Sequence, residues 1–350
     1  MSSLISVVTP FFQTRDTLPF VLQDLQAQTH RDWEWVAVAD GDEDGGAEWL
    51  EHQARSDTRL RIVRLPKSGI VTALNTGLAL CRGEFVARMD ADDRMHPDRL
   101  SAQRQFLLGT PDCDLVGSYV LPFSWTPDAP SAGMVRYHNW MNRFTRHEEI
   151  IEAMLVESPL AHPSFFARRR FFEALGGYHA RPWPEDYDLL LRAWRANARF
   201  GKVPRVLVRR GDRPGRLTRT DPIYRREGMY RAKAHHLLRG PWGLRPAPGA
   251  AAARPIVVCG SGPAGRMAAQ WLREEGAEIA AFQDAVTAPS GRTVMGRPAH
   301  GFPNEIPAEF FREFKGALFL SCMGKPEERG RLIRQLNAAG LKQGQDWLAL

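Results

Sequence analysis

The chain has 350 residues, 43% of them hydrophobic and 25% charged, and a formal net charge of +7 at pH 7. These values are typical of a globular protein of about two domains and exclude an intrinsically disordered, collagen-like or small disulfide-stapled chain. Because the sequence shows no apolar run of 18 residues, no signal-peptide pattern and no C-x-x-C pair among its four cysteines, we expect a cytoplasmic protein whose only membrane contact is peripheral.

The first 120 residues alternate between strand-like and helix-like patterns. Short β-branched or apolar runs predict strands at residues 5–9, 33–39, 61–65 and 85–89. Apolar residues spaced three and four apart, from Leu18 to Leu25 and from Ile70 to Leu78, predict helices between these strands. This alternation predicts an α/β fold with a mostly parallel sheet and helices on both faces.

Polar residues lie at the ends of three of these predicted strands. Thr9 ends the first strand, Asp40 follows the second, and Asp90, Asp92 and Asp93 follow the fourth. Ligands of open α/β sheets bind outside the carboxyl ends of the strands. We therefore expect these residues to converge on one crevice.

The three carboxylates of Asp90, Asp92 and Asp93 fall within four residues. Such carboxylates repel one another, and a hard divalent cation such as Mg²⁺ or Mn²⁺ relieves the repulsion. Because Mg²⁺ usually shares its coordination shell with substrate phosphates, the cluster favours a nucleoside-diphosphate site. The alternative is that an aspartate caps the helix predicted to begin near Pro97, which accounts for one carboxylate but not three.

The middle of the chain predicts two further features. Residues 121–145 contain three prolines and several aromatic residues, which predicts an irregular loop or insertion over the active face. Helices are predicted at 148–156 and 185–196, and strands at 164–167 and 203–208. Glu185 and Asp186 begin the second helix. They suit either an interaction of acids with a helix N-terminus or a role of Asp186 as general base.

A basic stretch follows. From Arg192 to Arg239 the chain has 15 Lys or Arg residues and 3 Asp or Glu residues. This stretch either forms a solvated basic face or attracts phosphates, nucleic acid or an anionic membrane surface. Within it, Arg213 and Arg216 suit charge partners of a diphosphate or belong to a solvated loop. Residues 224–238 suit either an interfacial helix on anionic lipid or a helix packed against a linker.

The Pro-, Gly- and Ala-rich residues 241–254 predict a linker between a first domain at 1–240 and a second at 255–350. In the second domain, Gly260, Gly262 and Gly265 fit the G-x-G-x-x-G turn of a small Rossmann-like unit, in which a helix N-terminus holds a phosphate. Gln283 lies nearer than Asp284 to the end of the predicted second strand, so the acidic residue of the motif is displaced. The glycines therefore suit either a nucleotide site or a structural turn.

The first 240 residues resemble the family 2 glycosyltransferases, which have the nucleotide-sugar-binding GT-A fold. Five segments carry the resemblance in order, at 6–12, 35–41, 67–77, 83–100 and 175–188. Two departures, Ala39 before Asp40 and Phe12 at a position that is commonly polar, leave the nucleotide base less defined. No Q-x-x-R-W motif follows Asp186, which argues against a processive polysaccharide synthase.

The resemblance implies a donor-binding set that comprises Thr9, Phe11, Asp40, Lys67, Asn75, Asp90, Arg213 and Arg216. In this set Thr9 and Phe11 line the pocket for the base, Asp40 accepts a hydrogen bond from the base, and Asp90 lies near the ribose and the metal. It also implies a metal set of Asp90, Asp92 and Asp93, in which Asp92 binds the metal directly. Asp186, beside Glu185, deprotonates the acceptor hydroxyl.

The sequence therefore predicts a metal-dependent, inverting transferase that uses a nucleoside-diphosphate sugar, above all a UDP-sugar. Its expected acceptor is a glycan or lipid-linked glycan in bacterial cell-surface polysaccharide synthesis. No nucleic-acid partner is expected, and the oligomeric state is left open. One alternative is an NAD(P)-binding oxidoreductase or regulatory protein that uses the C-terminal glycines, although a convincing Tyr-x-x-x-Lys is missing. The other is a non-catalytic sugar-nucleotide-binding protein, against which Glu185 and Asp186 argue.

Overall fold

The computed structural model describes residues 3–244 and 253–350, which form two compact units. The first unit comprises Met1–Ile151, Ser158–Arg181 and Glu185–Thr220, and the second comprises Glu152–Glu157, Pro182–Pro184 and Asp221–Leu350. Most of the predicted linker at 241–254 lies outside the described residues. The predicted boundaries at 240 and 255 stay a prediction.

The first unit contains a mixed sheet and the helices that cover it. Its described strands are β1 Ile5–Phe11, β2 Trp33–Asp40, β3 Leu60–Leu65, β4 Phe85–Arg88, β5 Arg94–Met95, β6 Leu115–Ser124, β7 Phe166–Arg168 and β8 Phe200–Asp212. The helices that begin in it are α1 Leu18–Gln26, α2 Gly46–Ala54, α3 Ile70–Ala79, α4 Arg99–Gly109, α5 Ala132–Met141, α6 His147–Ala153, α7 Arg169–Ala174, α8 Glu185–Arg195 and α9 Leu217–Thr220.

The sheet of the first unit has the strand order β3-β2-β1-β4-β7-β6-β8-β5. Strand β1 pairs in parallel with β2 and with β4, whereas β7 is antiparallel to β4 and to β6. Because β1, β2 and β4 are parallel neighbours, their carboxyl ends reach the same edge of the sheet. The predicted α/β architecture is confirmed. Several of the predicted site residues lie at or just after the carboxyl ends of these strands.

Burial explains why these segments form strands and helices. Every residue of β1 and β2 is buried, as expected for parallel strands that helices cover on both faces. Helix α1 turns the predicted row of Leu18, Val21, Leu22 and Leu25 inward, and all four belong to the main hydrophobic core. The periodicity of the sequence therefore records which faces are covered.

The loop predicted at 121–145 is wrong. Strand β6 continues to Ser124, and residues 132–141 form α5, whose N-cap Ser131 accepts a hydrogen bond from the backbone N–H of Met134. Pro122 is tolerated inside β6 because the strand pairs with β7 only at Leu115 and Val116, and beyond them it pairs with β8 alone. A proline fits a strand where one side needs no backbone donor.

Lys202 in β8 is a buried cation that lies outside the predicted site. It is 1% exposed, and its Nζ donates to the carbonyl oxygens of Met141, at 2.5 Å, and Pro159, at 2.9 Å. Burial lowers the pKa of Lys202 to about 7 from its ordinary value of 10.5, and the charge of Glu149 opposes this shift only in part.

This geometry predicts a pH-dependent stability that Lys202→Met removes. Between about pH 7 and 10.5 the unfolded chain holds a proton that the folded chain has released. The free energy of unfolding of the wild type should therefore rise with pH, relative to that of the variant, by up to about 1.4 kcal/mol per pH unit. Urea unfolding at several pH values from 7 to 8.5 measures this difference, and parallel profiles of the two proteins would contradict it.

The second unit contains a Rossmann-like sheet. Its described elements are α10 Arg226–Leu237, β9 Ile256–Cys259, α11 Pro263–Glu274, β10 Ile279–Asp284, β11 Thr293–Val294, β12 Arg297–Gly301, α12 Ala308–Glu313, β13 Leu318–Ser321, α13 Pro326–Ala338 and β14 Trp347–Ala349. The parallel strands run in the order β12-β10-β9-β13-β14, which is the 3-2-1-4-5 arrangement of a doubly wound fold, with β11 antiparallel at one edge.

Residues 224–238 were predicted to form a helix, and most of them lie in α10. Lys233 is 3% exposed and donates to the carbonyl oxygen of Val156, while the guanidinium of Arg231 lies 4.5 Å from the ring centroid of Trp271. These two basic residues therefore make contacts within the unit, as a packed helix would, and contact of residues 224–238 with lipid stays a prediction. Among the described helices, none combines the length and the hydropathy needed to cross a bilayer.

Candidate active site

Three carboxylates follow β4 in a tight turn. Asp90, Asp92 and Asp93 each place one carboxylate oxygen within 4.8 Å of the other two. The backbone N–H of Gly211 donates to Asp93 Oδ1 at 2.8 Å, whereas Asp93 Oδ2 is buried with no hydrogen-bond partner among the described residues. A buried carboxylate oxygen without a donor is costly unless a cation or a proton satisfies it.

Arginines from two elements surround these carboxylates. The NH2 group of Arg88, the last residue of β4, donates to Asp90 Oδ1 at 2.5 Å. Arg216, which follows β8, is 8% exposed, and its guanidinium nitrogens lie 3.8 Å from Asp90 Oδ2 and from Asp93 Oδ1. Asp90 therefore faces both arginines, whereas Asp93 faces Arg216.

The charges separate the pKa values of the three aspartates. Burial would raise the pKa of Asp90, but Arg88 and Arg216 together lower it below the ordinary value. Burial raises the pKa of Asp92, and burial together with the charge of Asp90 raises that of Asp93 to about 8. The raised pKa values of Asp92 and Asp93 mean that the surrounding arginines do not fully offset the burial of these two carboxylates and their repulsion by Asp90. Oxygen donors of this kind and spacing fit a hard divalent cation.

Gly211 lets the end of β8 approach the cluster closely. A Cβ atom at this position would collide with the carbonyl oxygen of Asp92 and with the indole ring of Trp125. The same carbonyl accepts a hydrogen bond of 2.6 Å from Trp125 Nε1. The turn that carries Asp92 and Asp93 is therefore fixed by backbone contact with β8.

Gly211→Ala is expected to displace this turn. Since the Cβ meets backbone and a ring rather than a flexible side chain, we expect a loss of about 2 kcal/mol or more in the free energy of unfolding. Donor turnover should fall along with it. Thermal unfolding and an activity assay measure both effects, with Gly215→Ala as control because a Cβ at Gly215 meets open space. Wild-type stability and turnover in Gly211→Ala would show that the contact with β8 does not hold the turn.

Glu185 and Asp186 form the first turn of α8. Asp186 Oδ1 accepts a hydrogen bond of 2.7 Å from the N–H of Tyr187, and Glu185 is 4% exposed. Burial raises the pKa of Asp186, while that hydrogen bond and the charges of Arg210 and Arg88 oppose the rise. Arg88 also acts on Asp90, so Asp186 and the aspartate cluster share one electrostatic environment. A desolvated carboxylate beside a charged cluster is the setting of a general base.

Asn75 does not present its amide to a ligand. Its Nδ2 donates to the carbonyl oxygen of Tyr178, and its Oδ1 accepts from the N–H of Tyr178, both at 2.8 Å. A Cβ at the preceding Gly177, whose φ is +70°, would lie 2.5 Å from Asn75 Oδ1. Tyr178 in turn places its hydroxyl 2.7 Å from His162 Nε2. Asn75 therefore positions the Tyr178–His162 pair, and its predicted contact with a donor stays a prediction that this geometry does not favour.

Asp40 and Lys67 lie together at the end of β2. Asp40 Oδ1 accepts from the N–H groups of Ser68 and Gly69 at 2.6 and 3.1 Å, and Lys67 Nζ lies 3.4 Å from Oδ2. The same Nζ lies 3.1 Å from the ring centroid of Phe12, which is 40% exposed. The carboxylate of Asp40 thus stabilises the turn before α3. The side chains of Phe12 and Lys67 at this edge of the sheet are exposed to solvent.

Three predicted donor residues lie around this edge and the cluster. Thr9 is fully buried, and its Oγ1 accepts from Trp35 Nε1 at 2.9 Å, while Phe11 is 3% exposed in the main core. Neither side chain faces solvent, so their predicted contact with a base stays a prediction. Arg213 NH2 donates to the carbonyl oxygen of Gln13 at 3.0 Å, so the loop after β8 reaches the loop after β1.

The predicted glycines of the second unit form a tight turn between β9 and α11. Gly260 has a φ of +105°, and a Cβ at Gly265 would collide with the carbonyl oxygen of Gly260. Asp284 is the last residue of β10, so the expectation that Gln283 holds this place is wrong. Asp284 Oδ1 accepts from the N–H of Ser261 at 2.6 Å, and Arg292 NH1 lies 3.0 Å from Oδ2. The acidic residue of the motif is present and is held by protein groups.

Two arginines of the first unit were missed by the sequence reasoning. Arg88 interrupts an otherwise apolar strand pattern at 85–89, which is a signal that sequence alone offers. Arg210 was one of several basic residues in its segment. Its position became evident only from the fold, since its charge acts on Asp90, Asp92, Asp93 and Asp186.

Comparison with known proteins gives a consistent result. A family model described as "Glycosyl transferase family 2" matches residues 6–176. TuaG of Bacillus subtilis (strain 168) is 33% identical over 106 residues, which is 30% of this chain and 42% of that protein. The O-antigen biosynthesis glycosyltransferase WbnJ of Escherichia coli is 26% identical over 190 residues, which is 54% of this chain and 71% of that protein.

A solved structure shows the same architecture. Residues 1–349 of TarS from S. aureus, crystallised with UDP-GlcNAc, match with a TM-score of 0.54 and 19% identity. The match covers 68% of this chain and 67% of the TarS chain. At this level of identity the likeness establishes a shared fold.

Proposed function

Since residues 6–176 place this chain in glycosyl transferase family 2, with a GT-A fold, we propose that it transfers a sugar from a nucleoside-diphosphate donor to a hydroxyl acceptor, with inversion at the anomeric carbon. The observation that carries the proposal is the shared environment of the Asp90–Asp92–Asp93 cluster and Asp186. A cation-binding cluster and a desolvated carboxylate are the two parts that this reaction needs.

The residues present fit a bound Mg²⁺ or Mn²⁺. Asp90, Asp92 and Asp93 would hold it, because their oxygens lie together and one oxygen of Asp93 lacks a donor among the described residues. When bound, such an ion supplies positive charge that stabilises the departing diphosphate. Arg216, 3.8 Å from two of these carboxylates, adds a second positive charge on the same side.

Asp186 performs the proton transfer in this proposal. Its place on the first turn of a packed helix fixes the carboxylate, and its raised pKa brings its basicity nearer to that needed to accept a proton from a hydroxyl. The acceptor oxygen attacks the anomeric carbon as the bond to the diphosphate breaks, through a transition state with positive charge on the sugar. Attack opposite the leaving group inverts the configuration.

Proton NMR of the product tests this mechanism. The anomeric coupling constant of the newly formed bond, compared with that of the donor, reports inversion or retention directly. We expect inversion with a UDP-sugar donor in the presence of Mn²⁺. Retention of the anomeric configuration would rule out a single displacement with Asp186 as base.

The acceptor follows by analogy with the relatives. The printed name of WbnJ assigns it to O-antigen biosynthesis, and this supports a glycan or lipid-linked acceptor in bacterial polysaccharide synthesis for the present chain. The donor base is proposed to be uracil, in keeping with the UDP-GlcNAc bound to TarS. The exposed ring of Phe12, with Lys67 above it, offers a face on which a base can stack.

A further inference from the structure

Arg88 is a buried cation that the proposed mechanism does not use. It is 4% exposed, and its NH2 group donates to Asp90. Its Nε and NH1 atoms are buried and have no hydrogen-bond acceptor among the described residues. Buried guanidinium donors without acceptors destabilise a fold, and a native site retains them where a ligand supplies the missing acceptor.

The surroundings hold Arg88 in one orientation. Its backbone N–H donates to the carbonyl oxygen of Phe165 at 2.9 Å, and its own carbonyl oxygen accepts from Arg99 NH2 at 2.6 Å. Arg99 is fully buried and is fixed further by Gln103, which accepts from its Nε at 3.0 Å. This network fixes the backbone of Arg88, and the hydrogen bond to Asp90 fixes its guanidinium, so a ligand meets preorganised donors.

Arg88 and Arg216 both contact Asp90 but otherwise interact with different charges. The carboxylates that act on Arg88 are those of Asp90 and Glu185, and Arg88 acts in turn on Asp186 and His162. Those that act on Arg216 come from the three aspartates of the cluster and from Asp212. Arg88 is therefore hydrogen-bonded to Asp90 and also interacts with the charges of Glu185 and Asp186 at the start of α8, whereas Arg216 interacts with the cluster and with Asp212.

The chemistry of transfer assigns an occupant to this position. The diphosphate must lie at the cation-binding cluster, and the acceptor hydroxyl must lie within reach of Asp186. The transferred sugar joins the two, so it passes the region that Arg88 faces. We infer that Arg88 is a specificity-determining residue whose Nε and NH1 groups donate hydrogen bonds to an oxygen substituent of the transferred sugar. This inference rests on the proposed function.

The substituent is an acceptor oxygen, which a hydroxyl, an acetamido carbonyl or a carboxylate can provide. A guanidinium binds each of them and binds a carboxylate most strongly. UDP-glucose, UDP-GlcNAc and UDP-glucuronic acid present these three groups on one scaffold. Comparing them with UDP alone separates contacts with the sugar from contacts with the nucleotide.

Isothermal titration calorimetry in the presence of Mn²⁺, with UDP and each of the three UDP-sugars as titrant, tests the inference. The proteins compared are the wild-type full chain and its Arg88→Gln and Arg216→Gln variants. In the wild type, at least one UDP-sugar should bind more tightly than UDP. Arg88→Gln should reduce that advantage about tenfold, because a hydrogen bond from a charged group to the sugar is lost. The variant also loses the hydrogen bond to Asp90, which affects UDP and UDP-sugar equally, so the ratio of the two Kd values isolates the contact with the sugar. Arg216→Gln should weaken the binding of UDP and of UDP-sugars equally, since Arg216 is proposed to face the diphosphate that both contain.

Several outcomes overturn the inference. An equal loss for UDP and UDP-sugar in Arg88→Gln would assign Arg88 to the nucleotide, and a wild type that binds every UDP-sugar no better than UDP would show no sugar contact. If thermal unfolding shows that Arg88→Gln is not folded, Arg88→Lys replaces it in the titrations. Lysine keeps the positive charge but lacks the planar guanidinium that donates several hydrogen bonds. Failure of the wild type to bind any of the four ligands would overturn the proposed function, and the inference with it.

Discussion

Asp186→Asn is expected to reduce kcat for sugar transfer by about a thousandfold, within the range usual for loss of a general base. Asparagine keeps the size of the side chain and an oxygen that can accept the 2.7 Å hydrogen bond from the N–H of Tyr187, so α8 should keep its start. It cannot take a proton from the acceptor hydroxyl. Initial-rate kinetics with a UDP-sugar and Mn²⁺ measure kcat, and titration with UDP measures whether the donor site is intact.

A matched control separates this effect from a general loss of helix-start acids. Glu148 lies in the first turn of α6, is 66% exposed and is 3.7 Å from Arg199, so Glu148→Gln removes an acid from a comparable position away from the site. Its kcat should stay within about twofold of the wild type, since exposed ion pairs contribute little. If Asp186→Asn retained wild-type kcat while binding UDP normally, Asp186 would not be the base.

The architecture of the first unit was predictable because burial leaves a periodic pattern. Helix α1 was found from one apolar face, and β2 from a run that is buried throughout. Proline misled the prediction at β6, where Pro122 lies on a stretch that pairs, among the described strands, with β8 alone. The missing neighbour is a property of the sheet, which no local pattern records.

The same reason explains the error at Asp284. Strand β10 continues through Asp284 because Gln283 and Asp284 pair with His300 and Gly301 of β12, a strand that the sequence did not predict. A strand continues as far as a neighbouring strand pairs with it, and here the paired residues lie 17 positions further along the chain. Local composition therefore misplaced the acidic residue by one position.

The site residues also differ in how far the sequence alone predicts their place in the structure. The clustering of Asp90, Asp92 and Asp93 was predictable, because three carboxylates within four residues of a turn must lie close together. The role of Asn75 was not, because its amide pairs with the backbone of Tyr178, 103 residues away. A polar residue that supports a site from behind has the same sequence signature as one that contacts a ligand.

Asp92→Asn is expected to weaken Mn²⁺-dependent binding of UDP by about a hundredfold, with transfer falling at least as far, because one of the carboxylates that fit the cation loses its charge. The substitution should not unfold the chain, since the backbone carbonyl of Asp92, which accepts from Trp125 Nε1, is unchanged. Asp128→Asn, at an exposed aspartate outside the cluster, is the matched control and should bind UDP as the wild type does. Titration with UDP at several Mn²⁺ concentrations measures the shift. An Mn²⁺ dependence in Asp92→Asn identical to that of Asp128→Asn would remove Asp92 from the metal site, and EDTA without effect on the wild type would remove the metal from the proposal.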